Sequence, residues 1–245
     1  MLNPTQKNCG DLDQMAKGIQ PRIRRGKSNA ARHARPAPPA PSAQRRRTPE
    51  EAKQEIIEVA RGYLSRNRFR DLTVDKLMRQ TQIGRSAFYV YFKDVYDLAE
   101  IFIHELAGQI ESGAADWLDR DGPPIERVRL ALKNAVSFWE TNGGMIRALE
   151  EATTQDERLQ RIWRDEVSMR PVRRVAEAIR RDQAAGLIGP LDAQEMSLAL
   201  NRFNMTYLND CFGSGRKRNS RVVLETLERV WISSLYGGAS PPTNR

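Results

Sequence analysis

The order of apolar and polar positions predicts a chain built from helices. From Thr48 onward, apolar residues recur mostly three or four positions apart, which is the spacing of one helix face. Thr48 is a suitable N-cap, Pro49 suits the first helical position and Glu51 completes a capping box. The first helix should therefore span about residues 49–66.

Two short helices are predicted next, joined by a tight turn. Thr73 should cap the second helix, whose inner face carries Val74, Leu77 and Met78. The third should span Arg85–Tyr91, with Phe88 and Phe92, four positions apart, anchoring it inward.

Longer helices should fill the rest of the chain. Asp94 is the expected cap of a helix over about 95–119, and the prolines after Gly122 should open another at 124–141. Gly143-Gly144 is predicted to end that helix, and Pro171 to kink or break a later one. The remaining helices are predicted at 145–152, 155–185, 192–212 and 220–236.

The last two of these helices are apolar on more than one face. A helix that is apolar nearly all round must be buried nearly all round. The segments 192–212 and 220–236 should therefore pack inward on the core and outward on a second subunit, which predicts a homodimer.

Composition agrees with an all-α fold. The 245 residues are 40% hydrophobic, and helix-forming residues dominate over β-branched runs. Cys9 and Cys211 make no disulfide framework, which favours a reducing compartment. No apolar run reaches 18 residues and the N-terminus lacks a signal-peptide pattern, so we expect a cytoplasmic protein with no membrane partner.

The net charge of +9 is concentrated at the N-terminus. Residues 1–47 hold eleven of the 40 Lys and Arg residues but two of the 31 acidic ones, so the remainder is neutral. This Pro- and Ala-containing segment should be disordered. One interpretation is an arm that contacts DNA phosphates, ending in Arg45-Arg46-Arg47. The alternatives are a passive extension, or translation that starts at Met15 or later.

The stretch Thr73–Phe92 fits a helix–turn–helix. That motif needs a short first helix, a tight turn, and a second helix whose outward residues reach the major groove. Arg85, Ser86 and Ala87 form the small, polar face of the second helix. Spacing alone is a weak indication, because an ordinary packed helix with Tyr89 and Tyr91 half-buried would also fit it.

The residue types in the motif are a more specific indication than its spacing. The block Thr73-Val74-x-x-Leu77, followed by Phe88-Tyr89-x-Tyr91-Phe92 and an acid-capped long helix, resembles the TetR family of transcriptional regulators. Phe138-Trp139-Glu140-Thr141 and the segments 200–204 and 230–237 resemble the family's EthR-like branch. The resemblance covers about residues 48–237. The N-terminal arm lies outside it.

The sequence pattern and the resemblance together predict a particular division of the chain. The expected parts are a basic arm (1–47), a three-helix DNA-binding domain (48–94), a helical ligand-binding and dimerisation domain (95–237) and a C-terminal tail (238–245). About nine helices are expected in total.

The resemblance also implies which residues meet DNA. Tyr89 would contact a phosphate, and Arg85 and Ser86 would face bases or backbone. With the arm, the candidate DNA-binding set is Arg45, Arg46, Arg47, Thr73, Arg85, Ser86, Ala87, Tyr89, Tyr91 and Lys93. Three positions depart from the family pattern: Gly84 replaces a capping Ser, Ala87 a Thr, and Val95 a Lys. The arm is a candidate for replacing the phosphate contacts that these changes remove.

A ligand pocket is implied in the C-terminal domain. Asn201, Asn204 and Leu208 share one helix face, and amides supply both donors and acceptors to an otherwise apolar slot. By the same resemblance, Arg170 and Met205 lie nearby. The alternative is that the aromatic residues are ordinary core. The candidate ligand-binding set is Phe138, Trp163, Val167, Asn201, Asn204, Leu208 and Trp231.

These features predict a ligand-responsive regulator, by family default a repressor. It should bind a palindromic DNA operator as a dimer and be released by a small hydrophobic ligand. A DNA-binding protein of the same fold without a ligand response is the alternative. An enzyme is not expected, because the sequence shows no phosphate-binding loop, metal-ligand cluster or nucleophile pattern, and we expect no cofactor.

Overall fold

The computed structural model describes residues 48–118, 122–215 and 218–237, with the backbone alone given for 114–118. Every regular element within these residues is helical, which confirms the all-α prediction. The helices are α1 (Pro49–Leu64), α2 (Val74–Met78), α3 (Arg85–Tyr91), α4 (Val95–Leu118), α5 (Pro124–Thr153), α6 (Glu157–Ile162), α7 (Met169–Ala184), α8 (Ala193–Leu208) and α9 (Ser220–Tyr236). The predicted arm, including Arg45, Arg46 and Arg47, and the tail 238–245 lie outside the described residues.

The first three helices form a unit that we call the head, residues 48–94. The capping box predicted at its start is present: Glu51 N–H donates to Thr48 Oγ1, and Thr48 N–H donates to Glu51 Oε2. Leu77 and Phe88 are fully buried between the helices, and the rings of Phe88 and Phe92 lie 5.3 Å apart. These side chains fix the angle at which α3 leaves the turn.

Helix α4 begins where the sequence predicts. Asp94 Oδ1 accepts hydrogen bonds from the backbone N–H groups of Tyr96 and Asp97. Arg61 of α1 pairs with Glu105 of α4 at 2.8 Å and lies over the Phe102 ring. The head is thereby attached along the first three turns of α4.

The predicted break at Gly143-Gly144 is wrong, because α5 runs without interruption to Thr153. Both glycines serve close packing instead. A Cβ on Gly143 would lie 2.8 Å from the backbone carbonyl of Phe212, and one on Gly144 would collide with the backbone carbonyl of Ser65. Tertiary contacts thus explain the glycine pair and offset its low helix propensity.

The irregularity predicted near Pro171 takes the form of a wide turn. A π-helical segment, Trp163–Ser168, separates α6 from α7, and the N–H of Met169 bonds to the carbonyl of Arg164, five residues back. Proline cannot donate to the carbonyl four residues before it, so a change of helical pitch just ahead of Pro171 relieves the mismatch. Gly186, with φ of 71°, then ends α7.

Helix α8 is capped by Asp192, as predicted, and ends at Leu208 instead of 212. A second π-helical segment, Asn209–Gly213, follows it. Helix α9 has the predicted span and is capped by Asn219. The core runs continuously from the head through α4 and α5 to α9. No helix in the described ranges is long and apolar enough to cross a membrane.

Candidate DNA-binding helix and ligand cavity

Helix α3 presents its predicted polar face to solvent. Arg85 and Ser86 are exposed, and Tyr89 is 53% exposed although its ring edge packs on buried Phe88. Arg85 Nη1 lies 3.0 Å from Asp75 Oδ1 of α2. A hydrogen bond to Tyr89 and the charge of Asp75 raise the pKa of the Arg85 guanidinium, which is therefore a fixed cation at this surface.

The other candidate DNA-binding residues are less prominent. Thr73 caps α2 by accepting from Lys76 N–H at 3.2 Å, and Lys93 is exposed beside the end of α3. Ala87 and Tyr91 are half-buried. The structure therefore brings Arg85, Ser86 and Tyr89 together on one exposed surface.

A cavity of about 550 Å³ lies among α4, α5, α7, α8 and α9. Its lining is largely apolar, and α5 supplies the longest wall, from Val128 to Asn142. Helix α4 contributes Gln109, Ile110 and Gly113. The volume lies within the range of small-molecule sites.

Six of the seven candidate ligand-binding residues meet at this cavity. They are Phe138, Val167, Asn201, Asn204, Leu208 and Trp231. Trp163 does not line it, although it is buried elsewhere in the core. Met205 lines the cavity and Arg170 does not. The apolar residues Val128, Leu132 and Val175, which the sequence did not single out, complete much of the wall.

Fixed partners determine how the two asparagine amides are oriented. The indole N–H of Trp231, which can only donate, bonds to Asn204 Oδ1 at 2.8 Å. Asn201 Nδ2 donates to the backbone carbonyl of Ser197 at 2.9 Å, and this oxygen can only accept. Asn204 Nδ2 and Asn201 Oδ1 have no hydrogen-bond partner among the described residues. These two asparagines therefore leave one donor and one acceptor without a protein partner.

Two polar networks beside the cavity were not predicted. Trp139 Nε1–H donates to Asn209 Oδ1 at 2.9 Å, and Asn209 Nδ2 donates to Glu150 Oε2 at 2.8 Å. Burial raises the pKa of the Glu150 carboxyl. These residues are far apart in sequence, so no local pattern indicated the network.

The second network ties α5, α7 and α9 together. Arg127 Nη2 donates to both carboxylate oxygens of Asp182, at 2.7 and 2.9 Å, and the Tyr236 hydroxyl donates to Asp182 Oδ2 at 2.8 Å. Burial, with the adjacent carboxylate, raises the pKa of Tyr236 far above its usual value. Asp182 of α7 is therefore hydrogen-bonded to both α5 and α9.

A metal-binding arrangement is not found in the described parts of the chain, where no group of three or more His, Cys, Asp and Glu side chains could hold an ion.

Comparisons with known proteins agree with these features. Residues 128–237 match the family described as "Transcriptional regulator EthR, C-terminal domain". The HTH-type transcriptional regulator EthR of Mycobacterium tuberculosis is 24% identical over 187 residues, which cover 74% of this chain and 86% of EthR.

Solved structures share the fold. The fatty acid degradation regulator FadR from Bacillus halodurans superposes with a TM-score of 0.63 at 12% identity, over 78% of this chain and 96% of FadR. A TetR family transcriptional regulator from Pseudomonas syringae superposes with a TM-score of 0.55 at 12% identity, over 76% of this chain and 97% of that protein. Through its C-terminal domain, its full-length relative and its fold, the chain is similar to TetR-family transcriptional regulators of the EthR-like branch.

Proposed function

We propose that this protein is a transcriptional repressor that binds a palindromic operator as a homodimer and is released by a small hydrophobic ligand. The observation that carries the proposal is the apolar cavity with its two oriented asparagines. A protein of this fold without a ligand response would have no need of an open cavity of this volume. The cavity therefore favours the ligand-responsive alternative.

The lining chemistry favours one class of ligand. A compound that uses both amides must present an acceptor to Asn204 Nδ2 and a donor to Asn201 Oδ1, as a secondary amide does. The described lining contains no carboxylate, and Arg202, its one charged residue, is exposed, so the buried part of the cavity favours a neutral ligand. A neutral molecule with an alkyl or aryl body and one amide group fits both requirements.

Exposed apolar residues on α8 and α9 support the dimer. Phe203 is 38% exposed and stacks on Tyr207 with ring centroids 5.5 Å apart, and Val222 on α9 is 55% exposed. Apolar side chains of this size gain free energy when a second copy removes them from water. A two-fold dimer through α8 and α9 would cover both residues and carry two heads.

Repression and release then follow from linkage. Two recognition helices enter successive major grooves only when they lie roughly 34–36 Å, or a multiple, apart. A ligand that binds better to a dimer with a different head spacing shifts the population away from the DNA-binding state. The ligand needs no contact with DNA to act.

One experiment tests the proposal on the full chain. DNA is selected from a random pool, and binding of the selected sequence is titrated with N-octylacetamide while the melting temperature is followed. A palindromic consensus, a raised melting temperature and weakened DNA binding are expected. A non-palindromic consensus would overturn the dimer–operator model. Selection that succeeds without a melting shift from this probe or other medium-chain apolar amides would favour the DNA-binding protein without ligand response.

A further inference from the structure

We propose that α5 transmits occupancy of the cavity to the head, and that Glu151 is the residue through which it acts. The inference rests on the proposed ligand response and concerns how that response reaches α3. It follows from three observations on one uninterrupted helix.

The first observation is that α5 forms the largest part of the cavity wall. Its residues from Val128 to Asn142 face the space across almost four turns, whereas α4 meets it near Gln109, Ile110 and Gly113. A ligand that fills the cavity therefore presses on α5 over a much greater length. Because packed helices move as units, contact with the ligand should displace α5 as a whole.

The second observation is that the same helix contacts the head beyond the cavity. Glu151 Oε2 accepts the backbone N–H of Phe69 at 3.0 Å, and Glu151 Oε1 lies 3.5 Å from Arg70 Nε. Phe69 is itself buried, and its ring packs on Tyr96 at the start of α4 with centroids 5.2 Å apart. Movement of Glu151 thus reaches the buried core that Phe69 shares with Phe88 of α3.

The third observation is the close fit at Gly144. The helix approaches Ser65, at the end of α1, so closely that a Cβ on Gly144 would overlap the Ser65 carbonyl. The hydrogen-bonded chain from Trp139 through Asn209 to Glu150 also links the cavity wall to the neighbour of Glu151. At the Gly144 contact α5 therefore has no room to shift along or across its axis toward Ser65 without moving the end of α1.

A double-mutant cycle in the full chain tests the route without a known ligand. Met205→Trp fills part of the cavity from α8, a helix that belongs to neither competing route, and Glu151→Ala removes the head contact. Glu105→Ala, which breaks the Arg61 pair, tests transmission through α4. Glu140→Ala, an exposed acid on α5, is the matched control. Affinity for selected DNA and amide hydrogen exchange at Phe69 are measured for each protein.

Filling the cavity should weaken DNA binding about tenfold, a typical allosteric coupling, and speed exchange at Phe69. In the Glu151→Ala background the effect on affinity should shrink to about twofold or less, whereas the Glu105→Ala and Glu140→Ala backgrounds keep the full effect. Ala135→Phe replaces Met205→Trp if the latter does not fold.

Other results separate the two proposals. Weakened DNA binding with unchanged exchange at Phe69, or with the tenfold effect retained in Glu151→Ala, would overturn transmission through α5 and leave the ligand response standing. Faster exchange at Phe69 with unchanged DNA affinity would support the α5 route and count against ligand-controlled DNA binding. No change in either measurement would overturn both.

Discussion

Trp231 and Asn204 lock each other in place at the cavity: the indole N–H donates to Asn204 Oδ1 across 2.8 Å. The tryptophan is buried, so Asn204 satisfies an indole N–H that is shielded from bulk water. The bond leaves the amide N–H₂ of Asn204, a residue of the cavity lining, without a partner among the described residues. One side chain thus satisfies the core and supplies a recognition group.

Asn204→Ala should destabilise the protein by about 1–3 kcal/mol, because a buried donor is left without a partner. Urea unfolding followed by circular dichroism measures the difference. Asn134→Ala is the matched control, since Asn134 lines the same cavity and its amide has no hydrogen bond to any described residue; it should change stability by less than about 0.5 kcal/mol. Equal losses in the two variants would show that the Trp231 bond contributes nothing specific.

The buried pair of Arg127 and Asp182 should be the most sensitive polar contact of the C-terminal domain. Asp182→Ala leaves a buried guanidinium without its partner and should cost about 3–5 kcal/mol. Tyr236→Phe removes one hydrogen bond from the same carboxylate and should cost about 0.5–1.5 kcal/mol. Both values come from urea unfolding. If Tyr236→Phe lowered the free energy of unfolding as much as Asp182→Ala does, the Asp182 carboxylate would not be the main contact of this network.

Local chemistry in the sequence was sufficient for most helix boundaries. The Thr48–Glu51 capping box and the Asp94 cap are interactions between residues two or three positions apart, and both are present. The helix end predicted at Gly143-Gly144 was wrong because glycine occurs both at helix ends and where another backbone approaches closely. The deciding neighbours, Ser65 and Phe212, are remote in sequence.

The residues of the candidate site could be predicted from the sequence about as well as the helix boundaries. The spacing of Asn201 and Asn204 places them on one helix face, and the fold puts both at the cavity. Which amide atom stays free depends on Ser197 and Trp231, and only tertiary structure determines the second partner. Trp163 was predicted at the pocket and lies elsewhere in the core, because an aromatic residue at helical spacing is as compatible with core as with a pocket.

The carboxyl of Glu150 should make stability depend on pH. Burial raises its pKa in the folded state, so its favourable contribution is present at low pH and is lost as pH rises through the folded pKa. Glu150→Gln keeps an acceptor for Asn209 but cannot ionise. The variant should therefore melt at a higher temperature than the parent at pH 8, and the difference should vanish toward pH 4.

The measurement is a melting curve at each pH, with Glu140→Gln as control because Glu140 is exposed on the same helix. The control should show no comparable pH-dependent gain. A Glu150→Gln difference that is constant from pH 4 to pH 8 would show that ionisation of this carboxyl does not oppose folding.

The N-terminal segment should supply much of the sequence-independent affinity for DNA. Residues 1–47 carry all of the net charge of +9, and cations that neutralise phosphates release counterions. Deleting residues 1–47 should weaken binding to every DNA sequence and flatten the dependence of log affinity on log salt. Fluorescence anisotropy with selected and scrambled DNA at several salt concentrations measures both. Unchanged affinity and slope would refute a DNA-contacting role for the arm.

Asp75 should restrain DNA binding by the head, since its carboxylate pairs with Arg85 at the surface that we propose to face DNA. An exposed ion pair contributes little to stability, so Asp75→Asn should fold normally. The variant frees the guanidinium and removes a negative charge that repels phosphate, so its affinity for DNA should rise about threefold or more at low salt, with the gain shrinking at high salt.

Asp210→Asn makes the same charge change at an exposed position after α8 and should leave affinity unaltered. If the Arg85 side chain is the group released, Arg85→Ala should abolish most of the gain in the double variant. An Asp75→Asn gain that persists without Arg85 would assign the effect to the lost carboxylate alone. Reduced affinity in Asp75→Asn would instead mean that the ion pair positions Arg85 for its DNA contact.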